Sequence, residues 1–174
     1  SNKENGPSSS HRSAMMAVSV AGILMVLGWA GSDAVTTVRY HRILTISGGY
    51  AAHSDAIYDL ADYLDAENFT APIVLDWGID APVQFLSAGR VTPVDVFGYT
   101  GIDVPDPGFI ERVEPYLQDW QTIYVAHAPE NTIFKGRLEA MTGWTAERSW
   151  RWFEQIRFGQ RSGDAVYIVY RFME

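Results

Sequence analysis

An uncharged apolar run near the start of the sequence constrains the fold more than any other feature. Residues 14–31 read AMMAVSVAGILMVLGWAG, and Ser19 supplies the only hydroxyl group in this run. A run of 18 such residues lies at the lower end of the length that crosses a bilayer as a helix. We therefore predict a transmembrane helix at 14–31.

Two other interpretations of this run are open. His11 and Arg12 could end the charged region of a secretory signal peptide, with a small-residue cleavage site at 30–32. The other interpretation is a buried helix of a soluble fold.

Residues 1–13 are rich in Gly, Pro and Ser and open on Ser-Asn, as a tag, linker or leader does. Lys and Arg are balanced on the two sides of the run, so the positive-inside rule assigns no orientation.

The composition limits the classes of function. The chain has 174 residues and a mass of 19.4 kDa, which suits one domain of ordinary size. Residues 43–134 contain 14 acidic side chains against Arg90 and Arg112, which leaves −12, and the net charge of the chain is −8. This charge argues against a nucleic-acid partner. The absence of cysteine excludes disulfides, Cys-ligated metals and thiol catalysis.

The residues after the apolar run predict a connector and then an α/β domain. Residues 32–48 form the expected connector, with some strand character at 35–46. Ile57, Leu60, Ala61 and Leu64 then follow helical spacing, with Ser54 as the predicted N-cap. The domain is expected to extend over 49–174.

Alternating apolar runs predict the rest of the architecture. Strands are expected at 72–78, 91–97 and 122–126, separated by helices that begin near Asp80 and Asp106. A further helix is expected to end before Gly143, and two aromatic runs at 149–158 and 165–173 predict a hairpin. The predicted fold class is α/β: a three-layer sandwich with a mainly parallel sheet and an antiparallel C-terminal hairpin, preceded by one hydrophobic helix.

Common signatures of hydrolases, nucleotide-binding loops and metal sites are absent from the sequence. Ligands of open α/β sheets bind beyond the carboxyl ends of the strands. The candidate ligand-binding residues there are Asp76, Trp77, Asp80, Tyr99 and His127. Two carboxylates and an imidazole could perform acid–base chemistry or hold a cation. The alternative is structural, since Asp80 also suits a helix cap and His127 a turn at a strand end. No catalytic or metal-ligating residue is assigned.

Taken together, five segments resemble a known family of membrane enzymes. They are the hydrophobic helix, Asp-Tyr-Leu-Asp at 62–65, Val-Leu-Asp-Trp-Gly at 74–78, Phe-Leu-Ser-Ala-Gly-Arg at 85–90 and Tyr-Ile-Val-Tyr-Arg-Phe at 167–172. Over residues 14–174 the arrangement resembles the C-terminal extracytoplasmic domain of polytopic GT-C type glycosyltransferases, similar to aminoarabinose and protein mannosyl transferases.

The resemblance implies that the chain is one part of such an enzyme. The run at 14–31 would be the last span of a longer protein, and the domain would lie outside the cell membrane. The full enzyme would move a sugar from a polyprenyl-phosphate donor to a lipid, glycan or protein acceptor. The family's catalytic acids lie in an early loop that has no counterpart here, so the isolated chain is expected to be inactive. Its roles would be covering the membrane active site or binding the acceptor.

For cofactors, the resemblance implies none in this chain and leaves open a divalent cation in the full-length enzyme. The implied partners are the membrane, the transmembrane part of the parent protein, the sugar donor and the acceptor. Two other functions remain open. One is a stand-alone α/β binding protein, anchored or secreted, and the other is a hydrolase that uses Asp76, Asp80 and His127.

Overall fold

A long N-terminal helix precedes a mixed α/β unit. The computed structural model describes residues 9–49 and 53–173, and the chain divides into two compact units between Arg42 and Ile43. Helix α1 runs over Ser9–Ser47. Its stretch Ser13–Ser47 is long and apolar enough to cross a membrane. The predicted hydrophobic helix ahead of the domain is therefore confirmed.

The helix continues through the range that was expected to be a connector. Residues 32–47 are helical, so the strand character expected at 35–46 was wrong. Branched residues such as Val35 and Val38 favour strands only weakly, and helical context can override that preference. The Thr36 hydroxyl donates to the carbonyl of Ser32 at 3.0 Å, one turn earlier, which satisfies its polar group within the helix.

The second unit is built on one five-stranded sheet. The strands are β1 Ile73–Val74, β2 Val94–Asp95, β3 Tyr124–His127, β4 Arg151–Gly159 and β5 Ala165–Met173. Their order is β2-β1-β3-β5-β4. Strand β1 is parallel to both β2 and β3, whereas β5 is antiparallel to both β3 and β4. The predicted C-terminal hairpin is confirmed, and its strand β4 forms an edge of the sheet.

Helices cover both faces of this sheet. Helices α2 (Ala56–Ala66) and α3 (Asp80–Leu86) pack on one face, and α4 (Phe109–Val113) and α5 (Arg137–Ala146) pack on the other. Alternate strand residues divide between the two clusters, with Val74 and Val125 in the first and Ile73 and Tyr124 in the second. The three-layer α/β sandwich is therefore confirmed.

Some element ends differ from the sequence prediction. Asp80 is the first residue of α3 and makes no side-chain cap, so it contributes as a carboxylate in the first turn. Gly143 lies inside α5, which continues to Ala146. Pro115 acts as expected, because α4 ends at Val113 and the chain continues as a 3₁₀ turn over Glu114–Tyr116.

The start of the second unit is fixed against the hairpin turn. The Ser54 hydroxyl donates to the carbonyl of Ser47 at 3.1 Å and accepts from the amide of Ala56 at 3.2 Å. Asp55 then pairs with Arg161 of the hairpin turn at 2.6 Å. Strand β4 ends at this turn, at the same edge as the carboxyl ends of β1, β2 and β3. We call this side of the sheet the carboxyl edge.

Candidate functional site

Asp76 and His127 form a buried pair at the carboxyl edge. Parallel pairing aligns Val74 with Val125, so Asp76 and His127, two residues further on, stand opposite each other. Asp76 Oδ2 lies 2.9 Å from His127 Nδ1, and the two residues are only 1% and 4% exposed. The register of the two strands is therefore what brings these predicted site residues into contact.

Hydrogen bonds within the domain occupy the acceptor positions of the Asp76 carboxylate. Oδ1 accepts from the amides of Trp77 at 2.8 Å and Phe134 at 2.9 Å, and Oδ2 accepts from the amide of Ile133 at 2.9 Å and from His127. A carboxylate offers about four acceptor positions. With all four in use, Asp76 holds the segment after β3 against the end of β1 rather than offering a free base or cation ligand.

The row of side chains continues onto the next strand. Antiparallel pairing sets His127 opposite Tyr167, and the two ring centroids are 5.0 Å apart. Burial raises the pKa of Tyr167 to about 12, because an ionised phenol would lose its hydration in the core. His127 therefore lies between the Asp76 carboxylate, just after β1, and a neutral phenol on β5.

A small pocket opens beside this pair. It has a volume of about 210 Å³ and is lined by the two residues that follow β1, by residues of β3, and by the segment that leads into α5 together with the first turn of that helix. Its charged lining residues are Asp76, Lys135, Arg137 and Glu139, with Phe134 and Leu138 supplying apolar surface. Pockets for drug-sized ligands are larger, roughly 300–1,000 Å³. The space suits one polar group, such as part of a sugar ring or a small acid.

Arg137 is a buried cation that sequence reasoning missed. Its guanidinium is fully buried and donates to five carbonyls. These are the carbonyls of Phe97 (3.1 Å), Gly98 (3.4 Å), Thr100 (3.1 Å), Gly101 (2.7 Å) and Lys135 (2.9 Å). Desolvation lowers its pKa, and the charges of Asp106 and Asp76 oppose that effect. The available signal was the pair of glycines at 98 and 101, which predicts a tight loop whose carbonyls need donors.

The other three predicted site residues follow strands β1 and β2 along the chain. Trp77 is partly exposed directly after β1, and Asp80 lies in the first turn of α3. The Tyr99 ring contacts those of Phe97 and Phe134 at centroid distances of 4.9 Å and 6.4 Å. A hydrogen bond to Asp95 raises the pKa of Tyr99, and the charge of Asp80 adds to this effect.

The five predicted residues thus divide into two kinds. Asp76 and His127 touch, while Trp77 and Tyr99 are exposed and Asp80 lies in the first turn of α3. Within residues 9–49 and 53–173, no group of three or more His, Asp or Glu side chains is arranged to hold a metal ion. Comparison of the chain with family models, with curated proteins and with solved structures finds no match.

Proposed function

We propose that this chain is the extracytoplasmic, non-catalytic domain of an integral membrane glycosyltransferase that uses a polyprenyl-phosphate sugar donor. The observation that supports this most is the continuous helix α1, Ser9–Ser47, which carries a membrane-length apolar stretch into an α/β unit. The sequence resemblance adds the donor and the enzyme class. In this proposal the domain lies on the outer side of the cell membrane, beside the transmembrane part of the enzyme.

The site geometry favours binding over catalysis. General acid–base catalysis needs a group that can exchange a proton with the substrate. The Asp76 carboxylate already accepts four hydrogen bonds, and His127 is almost completely buried. The adjoining pocket, with its mixed charges, suits a hydroxylated or charged group of an acceptor. We therefore assign the carboxyl edge to acceptor binding, and the chemistry to the rest of the enzyme.

A stand-alone binding protein is the second candidate, and the same small polar pocket favours it. A blot separates the two functions. An antibody raised against residues 43–174 is used on membranes of the source cells, with and without protease added to intact spheroplasts. We expect a band several times heavier than 19.4 kDa whose epitope is removed by external protease.

Two results would count against the glycosyltransferase. A native band close to the mass of this chain would support the stand-alone protein instead. Sugar transfer from a lipid-linked donor by the purified chain would contradict a non-catalytic role. The Asp76→Asn variant of the full-length enzyme tests whether this carboxylate is structural or catalytic. If Asp76 is structural, the variant should lower the amount of folded enzyme more than it lowers the turnover of the enzyme that folds.

A further inference from the structure

A second cavity lies at the edge of the sheet opposite the carboxyl edge. It is lined by residues 67–72, which lead into β1, by residues within 119–123, which lead into β3, and by Arg171 near the end of β5. Strand β5 is antiparallel to β3, so the end of β5 lies beside the start of β3. The cavity has a volume of about 370 Å³, within the roughly 300–1,000 Å³ that is typical of small-molecule sites. We call it the amino-edge cavity.

Arg171 brings to this cavity a guanidinium that lacks an acid partner. Its Nε–H group is buried, and no atom of the described residues accepts a hydrogen bond from it. Within the described part of the chain, no carboxylate forms an ion pair with Arg171 either. A buried donor without an acceptor costs free energy, and nearly all such donors in native proteins are satisfied by protein, water or ligand. A bound anion would supply the acceptor that the fold does not.

The ring of Phe69 holds this guanidinium in position. The Arg171 Cζ atom lies 5.1 Å from the centroid of the Phe69 ring, a distance at which the cation is attracted to the π face. Phe69 in turn packs against the hydrophobic cluster beneath α2, and its ring centroid is 5.9 Å from that of Tyr63. A guanidinium donates in its own plane and can bind a carboxylate through two parallel hydrogen bonds. Arg171 therefore suits a ligand that carries a carboxylate.

The other charged groups of the cavity restrict which carboxylates fit. Glu67 and Asp119 line the same cavity, and both are exposed. A dianion such as phosphate would meet one cation and two carboxylates, so repulsion would offset its attraction to Arg171. A ligand with an ammonium group beside its carboxylate would be attracted by all three residues. The remaining polar side chains of the lining are neutral and can bind such a ligand through hydrogen bonds: Asn68, Thr70, Gln121 and Thr122.

We propose that the amino-edge cavity binds a free α-amino acid. The carboxylate of the ligand accepts from the Arg171 guanidinium, and its ammonium group lies towards Glu67 and Asp119. The zwitterion matches both signs of charge in the lining, and it satisfies the donor that the fold leaves without an acceptor. This inference goes beyond the proposed function and does not depend on it, because every residue of the cavity belongs to the second unit.

Titration of the isotope-labelled full chain in detergent micelles tests the proposal. The probes are L-alanine, acetate, methylammonium and inorganic phosphate, and the nuclear magnetic resonance shifts of the Arg171 Nε–H and of the amides around the cavity are followed. We expect saturable shifts with L-alanine at severalfold lower concentration than with the other three probes. Arg171→Gln should abolish them. Arg148→Gln is the matched control, because Arg148 also stacks on a ring, that of Trp144, but does not line the cavity.

A second variant keeps the test decisive if Arg171→Gln does not fold. Glu67→Gln combined with Asp119→Asn changes only exposed side chains, and it should weaken L-alanine severalfold without weakening acetate. Binding of L-alanine no tighter than that of acetate or phosphate would overturn the inference, as would unchanged affinity for L-alanine in either variant. None of these results bears on the glycosyltransferase, which the blot tests separately.

Discussion

Asp106 and Arg112 form a double hydrogen bond at the start of α4, with Oδ1 to Nη1 at 2.9 Å and Oδ2 to Nη2 at 2.6 Å. Arg112 Nε also donates to the carbonyl of Val96 at 3.1 Å, so the pair joins α4 to the end of β2. The guanidinium holds the pKa of Asp106 at about 2, below its ordinary value of 3.8. The free energy of unfolding of the domain should therefore depend on pH in the acidic range, where Asp106 becomes protonated.

The pH dependence has a definite sign. Because the pKa of Asp106 is lower in the folded chain, its contribution to stability is present above about pH 4 and is lost as the pH falls towards 2. Asp106→Asn should therefore unfold at lower urea than the parent at pH 7, and the difference should vanish near pH 2. Urea titrations of both proteins across this range provide the measurement. Asp103→Asn is the control, since Asp103 is exposed and its bond to Lys135 is long.

Removal of the Asp76 carboxylate should destabilise the domain strongly. Asp76→Ala leaves three backbone amides and the His127 ring without their acceptor, and a buried pair broken in this way costs about 3–5 kcal/mol. Unfolding in urea, followed by tryptophan fluorescence in detergent, measures the loss. Asp80→Ala, at the partly exposed first turn of α3, should cost about 1 kcal/mol or less. Equal losses in the two variants would mean that Asp76 is not a structural centre.

Replacement of Arg137 should release the loop over residues 98–104, whose carbonyls it binds. Arg137→Met removes every donor to the five carbonyls, and we expect a loss of about 3 kcal/mol or more in the free energy of unfolding. Hydrogen exchange should rise at the amides of residues 98–104. Arg148→Met is the control, because Arg148 is exposed and stacks on Trp144, a contact worth about 0.5–1 kcal/mol. Unchanged exchange at 98–104 would refute the anchoring role.

At high pH, ionisation of the buried Tyr167 phenol should destabilise the domain. The pKa of Tyr167 rises from 10.0 in the unfolded chain to about 12 in the folded one, so its neutral form favours folding. That contribution is complete below about pH 10 and is lost as the pH rises towards 12. Tyr167→Phe should flatten the loss of stability over this range, although burial also raises the pKa of Tyr124 and leaves a slope. Tyr58→Phe is the control, because it removes the hydroxyl of an exposed ring.

Periodic apolar residues made most of the fold predictable from the sequence. Leu60, Ala61 and Leu64 are buried on the inner face of α2, as their spacing indicates, and the apolar runs around Val74 and Val125 became neighbouring parallel strands. The candidate residues Asp76 and His127 were found by position, because carboxyl ends of parallel strands share an edge. Their direct contact needed the strand register, which the sequence pattern does not specify.

The features that the sequence patterns missed depend on the structural surroundings of the residues concerned. The branched residues at 35–38 resemble a strand, but they continue a helix that the preceding apolar residues already favour. Arg137 follows Lys135 and Gly136 in what reads as a charged surface turn. It is buried because the loop after β2 turns its carbonyls inwards, and only a long cation with several donors reaches all of them.

The position of β5 in the sheet also sets the order of events during synthesis. Residues 165–173 leave the ribosome after every other strand, yet they lie between β3 and β4 and supply buried side chains to both faces. Until they emerge, β3 is an open sheet edge and the hairpin does not exist. A nascent chain halted before Ala165 therefore has no closed core, and the domain folds as one unit only once translation has passed the end of β5.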